Sequence, residues 1–205
     1  MLGQGTIVEG RAIYVTVRWQ QHIIGIINVY APNLPAMRTL FWRQLADGLP
    51  IADAWILAGD FNMTLYVEDK VGGMHTVVQG SELVAWDLLM GRMGVKDAWY
   101  VLKKLRSSLC FSRAGCNMNG FCMSHIDRIY ISSELEKYGS NVEIIAGSAY
   151  FDHMPVTITL VNQRRKKRDC NLRISSKLFE DVEVGRKIRS IWENNLVGCG
   201  ALDNL

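Results

Sequence analysis

The sequence predicts an α/β domain. Apolar strand-like runs alternate along the chain with segments of helical period. Of the 205 residues, 49% are hydrophobic, enough for one sizeable core with an appendage. Acids, amides and a histidine recur at the ends of the strand-like runs, where a folded sheet has its rim.

The run at 55–62 (Trp55, Ile56, Leu57, Ala58, Gly59, Asp60, Phe61, Asn62) organises the rest. Four mostly apolar residues press toward a buried strand, and Gly59 directly after them stops the run. Asp60 and Asn62 then stand two residues apart, on one side of a strand's carboxyl end. An acid and an amide at a rim suit a cation and a phosphate oxygen. They equally suit a plain turn after a core strand.

In chain order, 12–19 alternates, with Ile13, Val15, Val17 and Trp19 on one face of a half-buried strand. Gln20 and Gln21 form a turn. Residues 22–30 make a second strand, paired antiparallel to the first across so short a link. Pro32 ends its ladder pairing, so Tyr30 and Asn33 are released toward a site or, on the plain reading, a buried Tyr and a capped turn. Residues 35–49 read as a helix, Pro at its start and Gly48 and Pro50 at its end, with Leu40, Phe41, Leu45 and Leu49 on its apolar stripe. Residues 64–80 read as a long surface loop holding His75. Residues 81–93 read as a helix capped by Ser81, its core contacts being Leu83, Val84, Leu88 and Leu89 with Trp86 or Met90, and Gly94 closing it. Residues 95–99 lead into the next strand region. Residues 109–113 read as a short strand and 114–120 as a loop.

Residues 124–131 alternate cleanly. Ile126, Arg128 and Tyr130 point one way; Asp127, Ile129 and Ile131 point the other. A carboxylate on a face of isoleucines is costly unless it is paired. After a strand at 141–146, Asp152 and His153 precede a last apolar strand at 156–161. They offer an acid for a metal and an imidazole for proton transfer, or else a turn. If His153 is the acid/base group, Asp127 is the natural carboxylate to orient it.

Composition bounds the class. A formal charge of +3 is too small to announce a nucleic-acid partner by bulk charge. Five cysteines without paired short spacing make neither a zinc site nor a disulfide framework, which fits a reducing nuclear or cytoplasmic compartment. No apolar run is long enough to cross a bilayer, so no membrane role is expected, and the first residues lack the pattern of a secretory signal. Nothing points to a defined protein partner.

Four segments together carry a family resemblance: Asn28-Val29-Tyr30-Ala31-Pro32-Asn33, Ala58-Gly59-Asp60-Phe61-Asn62, Ser124-His125-Ile126-Asp127-Arg128-Ile129-Tyr130, and Asp152-His153-Met154-Pro155-Val156. In order and spacing the sequence resembles the endonuclease/exonuclease/phosphatase family, and within it the endonuclease domains of LINE-type (non-LTR) retrotransposons. The resemblance implies a four-layer α/β sandwich, two packed sheets flanked by helices. It implies cleavage of DNA phosphodiester bonds with Mg2+ or Mn2+. It assigns Asp60 to the attacking water, Asn62 to the phosphate, and Tyr30 and Asn33 to the scissile phosphate or its support. Asp152 would bind the metal, and His153, held by Asp127, would stabilise the transition state or move a proton. The physical sense is that an in-line water, a cation and donors on the non-bridging oxygens are what such cleavage needs.

The sequence also departs from the family's pattern. The family's Asn on its first strand and Glu after its second precede the Tyr-Ala-Pro-Asn element and find no counterpart here. The expectation is a truncated domain lacking the first strands, with exposed edges and weak or absent turnover. His125 stands where retrotransposon relatives often have Arg, and Phe151 where the family usually has Ser. The expected domain spans 1–161. Residues 162–205 form a basic linker and helical tail, with the helix at about 181–195 and a resemblance to the connector between endonuclease and reverse transcriptase. The run from Arg164 to Arg168 suits nuclear localisation, nucleic-acid contact or a solvated linker. Two other functions remain open: a non-catalytic nucleic-acid-binding remnant, and a phosphoesterase of the same fold acting on a small molecule or lipid.

Overall fold

A computed structural model of the chain describes residues 1–73, 77–103, 110–117, 120–145 and 152–161, with 183, 186, 187 and 190 in the C-terminal part. His75, Leu109, Phe151 and the basic run at 164–168 lie outside the described residues, as does most of the helix expected at 181–195. The chain divides into two compact units, Met1–Gln163 and Arg164–Leu205. In the second, the described residues are helical, and Glu183 pairs with Arg186 at 3.7 Å.

The first unit is an α/β sandwich. Its strands are β1 (Gly3–Val8), β2 (Ala12–Trp19), β3 (His22–Tyr30), β4 (Ala54–Asp60), β5 (Lys70–Val71), β6 (Val95–Asp97), β7 (Arg113–Asn117), β8 (Gly120–Ser124), β9 (Asp127–Ser132), β10 (Gly139–Ile144) and β11 (Val156–Leu160). Its helices are α1 (Pro35–Asp47), α2 (Gly80–Met93), α3 (Ala98–Lys103) and α4 (Ser133–Glu136). A six-stranded sheet runs in the order β1-β2-β3-β4-β9-β6, beside a β10-β11 pair and a β5-β8-β7 sheet.

The period-two pattern of the central strands explains the layers. Trp55 and Leu57 of β4 join Ile27 and Val29 of β3 in a core under α1 and α2, with Phe41, Trp42, Leu45, Trp86 and Leu89. Ala54, Ile56 and Ala58 turn the opposite way, with Ile24, Ile26, Ile129 and Ile131, toward α3, α4 and the β10-β11 pair. Both faces of β3, β4 and β9 are therefore covered, which is why β4 reads as a continuous apolar run. The β2-β3 hairpin has the expected antiparallel register, closing Trp19 on His22 around Gln20, which sits at φ 56°.

Several expectations change in detail. β1 was not anticipated; only its Ile7 and Val8 are strongly apolar, and β2 holds it in place. The region 64–80 is no free loop: it contains a 3-10 turn at Val67–Asp69 and β5, and Asp69 is fully buried. Of the loop expected at 114–120, residues 114–117 belong to β7 and Gly120 to β8, an antiparallel pair whose polar, Gly-containing sequence hid its ladder. Helix α2 starts after Gln79, not at a Ser81 cap, and no side chain caps it. Its buried face is Glu82, Ala85, Trp86, Leu89 and Met93, whereas Leu83, Val84 and Leu88 are exposed. The reason is a buried pair between Arg38 of α1 and Glu82, which rotates α2 so that an acid faces inward. Likewise Leu40 is exposed, and Trp42 holds the centre of the α1 face.

Candidate active site

Parallel β3 and antiparallel β9 flank β4, and their ends align. Tyr30 sits opposite Asp60, and Asp60 opposite Asp127, in one row across three strands. These positions lie in phase with Ile26, Ile56 and Ile129, so the row projects from the rim of the face that β10 and β11 partly cover. Gly59 makes the close approach possible. It has φ 137°, and a Cβ there would lie 1.9 Å from the Val29 carbonyl oxygen. No other residue fits.

The turn after β4 is built by its own side chains. Asn62 adopts a left-handed φ of 49°, which Asn tolerates better than most residues. Its backbone N–H donates to Asp60 Oδ1 at 2.9 Å, and its side-chain amide donates to the Ala31 carbonyl at 2.9 Å. The Asp60 carbonyl in turn accepts from the Ala31 N–H. The strand tail at Ala31 and the turn at Asn62 thus hold each other, and Asn33 stands exposed just beyond.

His153 meets Asp127. Its Nδ1 lies 2.9 and 3.0 Å from the two carboxylate oxygens, so an ionised Asp127 accepts from Nδ1–H and Nε2 is turned away. Asp127 opens β9 and His153 lies in the segment before β11, and Ser112 joins them. Ser112 is completely buried. Its hydroxyl oxygen accepts from the Asp127 N–H at 2.9 Å, and its carbonyl accepts from the Met154 N–H at 2.6 Å. Asp152 stands apart from this pair. Its exposed carboxylate accepts from Arg113 Nε at 3.0 Å, which holds its pKa below the usual carboxylate range.

Asp60, Asp127 and His153 each present a ligand atom within 4.8 Å of the others. Burial pushes the Asp60 pKa up and the neighbouring Asp127 adds to it, against the Asn62 N–H and the positive fields of His153 and Arg113. A basic carboxylate, an imidazole with one nitrogen fixed, and space for a cation therefore share one rim. Mg2+ is satisfied by one or two carboxylates plus waters, and the Asp60 oxygen not bound to Asn62 fits that demand. Beside the rim opens a cleft of about 750 Å3, bordered by Asn33, Asn62, Lys70, Arg113 and Ser124.

Of the residues singled out from sequence, Tyr30, Asp60, Asn62, Asp127 and His153 converge on this rim. Asn33 lines the adjoining cleft, and Asp152 is engaged by Arg113. Sequence reasoning missed Ser112 and Arg113, which carry no local signal. It also missed Arg38, whose Nη1 donates to the Asn33 carbonyl at 2.6 Å and so fixes that loop. Arg128 did carry a signal, a charge between apolar neighbours on an alternating strand, the same signal that drew notice to Asp127.

No family model matches the sequence. Over 195 residues the chain is 25% identical to a Xenopus laevis protein described as the transposon TX1 uncharacterized 149 kDa protein; the match takes 94% of this chain and spans 14% of that protein's length. Among solved structures, the Neisseria 3′ phosphatase NExo bound to a product DNA hairpin superposes with a TM-score of 0.56 at 18% identity, over 74% of this chain and 65% of that one. An AP endonuclease from Archaeoglobus fulgidus gives 0.57 at 12% identity, over 77% and 70%. The endonuclease domain of TRAS1, a telomere-specific non-LTR retrotransposon, gives 0.52 at 12% identity, over 77% and 66%. At these identities the likeness is one of fold.

Proposed function

We propose that this chain, which has the endonuclease/exonuclease/phosphatase fold of those nucleases, is a divalent-metal-dependent phosphodiesterase acting on DNA, with slow turnover. The observation that carries the reading is the meeting of Asp60, Asp127 and His153, drawn from three separate segments, at one rim. Asp60, with its raised pKa, accepts a proton from the attacking water. His153, its Nδ1 proton held by Asp127, presents Nε2 toward a phosphate oxygen. Tyr30 and the second amide N–H of Asn62 steady the same phosphate, and Asn33 supports the strand in the cleft. A bound Mg2+ or Mn2+ would supply charge neutralisation at the phosphate. Asp60 would hold it, with Asp127 beside it and Asp152 joining only when Arg113 lets go. That thin ligand set is the reason to expect slow turnover.

The test is nicking of supercoiled plasmid with Mg2+ or Mn2+. The expected result is slow nicking, abolished by chelator and reduced about 100-fold or more in Asp60→Asn and in His153→Gln. Nicking that survives both substitutions would sink the assignment. Because Arg113 occupies Asp152, a second reading is DNA binding without cleavage; salt-sensitive binding with no nicking under any metal would select it.

A further inference from the structure

Helices α1 and α2 cover one face of the six-stranded sheet, and their outward side carries apolar residues that nothing described covers. Leu34, just before α1, with Met37 and Leu40 of α1 and Leu83, Val84 and Leu88 of α2, are each between 38% and 66% exposed. The helical turn places Leu40 and Val84 opposite the buried stripes of their helices. Single exposed apolar residues are ordinary, but six on two packed neighbours make a patch. Its exposed area is on the order of 400 Å2. A standard interface takes about 800 Å2 from each partner, a little over half of it apolar. The patch is therefore the size that a stable pair needs.

The two helices run parallel and in register. Arg38 near the start of α1 pairs with Glu82 near the start of α2, and Asp47 at the end of α1 pairs with Arg92 at the end of α2. Counted on from the first pair, Leu40 is level with Val84, and Arg43 with Asp87. Arg43 and Asp87 are both exposed, and neither has an opposite charge beside it among the described residues. A two-fold axis running along the helix pair lays α1 of one copy on α2 of another in the same direction. It sets Leu40 against the partner's Val84, and Arg43 against the partner's Asp87, twice over. The face is thus its own complement, apolar in the middle with a cation on one helix and an anion on the other. The row of Tyr30, Asp60 and Asp127 belongs to the other face of the sheet and is left uncovered. The clefts of both copies fall at the same end of the pair, because each is bordered by the starts of α1 and α2.

We propose that the outward face of α1 and α2 binds a second copy of this chain about a two-fold axis along the helices. The pairing is independent of the chemistry at the rim.

Sedimentation velocity on the full chain, between about 1 and 100 μM, tests this. The wild-type mass is expected to rise from one chain to two across that range. Leu40→Glu and Val84→Glu are each expected to weaken the pairing at least about tenfold, because a charge is then buried in the apolar centre. Arg43→Glu and Asp87→Arg alone are each expected to weaken it about fivefold, and the two together to restore it with the charges exchanged. Val67→Glu, at an apolar residue equally exposed but away from both helices, should change nothing. A wild-type chain that stays monomeric throughout overturns the proposal, whatever else covers the face. A dimer that survives both Leu40→Glu and Val84→Glu overturns it as well. So do losses matched by Val67→Glu, which mark non-specific association, and a double charge exchange no stronger than its single members. Unchanged far-ultraviolet circular dichroism in the variants excludes unfolding as the cause.

Discussion

Asp60 ionises at a cost, and the cost has a measurable sign. Burial raises its pKa, so the native state binds this proton more tightly than the unfolded chain does. The group's contribution to stability is full below the ordinary carboxylate pKa and is lost as pH rises through its native value. Asp60→Asn keeps the oxygen that receives the Asn62 N–H but cannot ionise. Its thermal midpoint is expected to exceed that of the wild type at neutral pH, with the gap closing near about pH 3. A variant no more stable than wild type at neutral pH would show that the carboxylate is not strained. Stability gained with activity lost is the pattern expected where a residue serves chemistry at the expense of the fold. At this scale the acid and amide after β4 were readable because strand ends place polar groups at a rim. That Asn62 gives one amide donor to Ala31 was not, since the two lie 31 residues apart in the chain.

Strand β9 carries the site on one face and a buried charge network on the other. Arg128, 1% exposed, pairs with Asp69 before β5 and with Asp97 at the end of β6, and His125 Nε2 lies 3.2 Å from Asp97. Burial alone would raise both acids. For Asp69, the Arg128 charge and the Tyr100 hydroxyl outweigh it; for Asp97, the His125 hydrogen bond and the Arg128 charge do, so both sit below the ordinary value. Their stabilisation is therefore present at neutral pH and lost as pH falls through the lowered pKa values. Removing the cation leaves two buried acids uncompensated. Arg128→Met is expected to lower stability by about 3–5 kcal/mol at pH 7, and by less near about pH 4, where the acids can take up protons. Denaturant unfolding at the two pH values checks this; an equal loss at both would sink the network as its cause. The network also explains why 64–80 is no surface loop: Asp69 draws it into the fold through a partner some sixty residues further along.

At the scale of the molecule, two cores sit on opposite faces of one six-stranded sheet. One packs under α1 and α2, the other under α3, α4, β10 and β11. All of their residues lie in the unit Met1–Gln163. A chain ending at Gln163 is therefore expected to unfold in a single cooperative transition, with a thermal midpoint within a few degrees of the full chain. Loss of a cooperative transition would show that the remaining residues are needed for folding.

Local chemistry in the sequence determined the strands and helices with strong period, the turn at Gln20 and Gln21, and the individual polar residues at strand ends. Tertiary structure alone decided which of those residues meet. Asp127 and His153 are joined through Ser112, Asp152 is taken by Arg113, and Glu82 rather than Leu83 or Val84 faces inward. The physical reason is common to all three. Burial forces each polar group to find a partner, and the partner is chosen by strand pairing across long stretches of chain, which periodicity within a window cannot see.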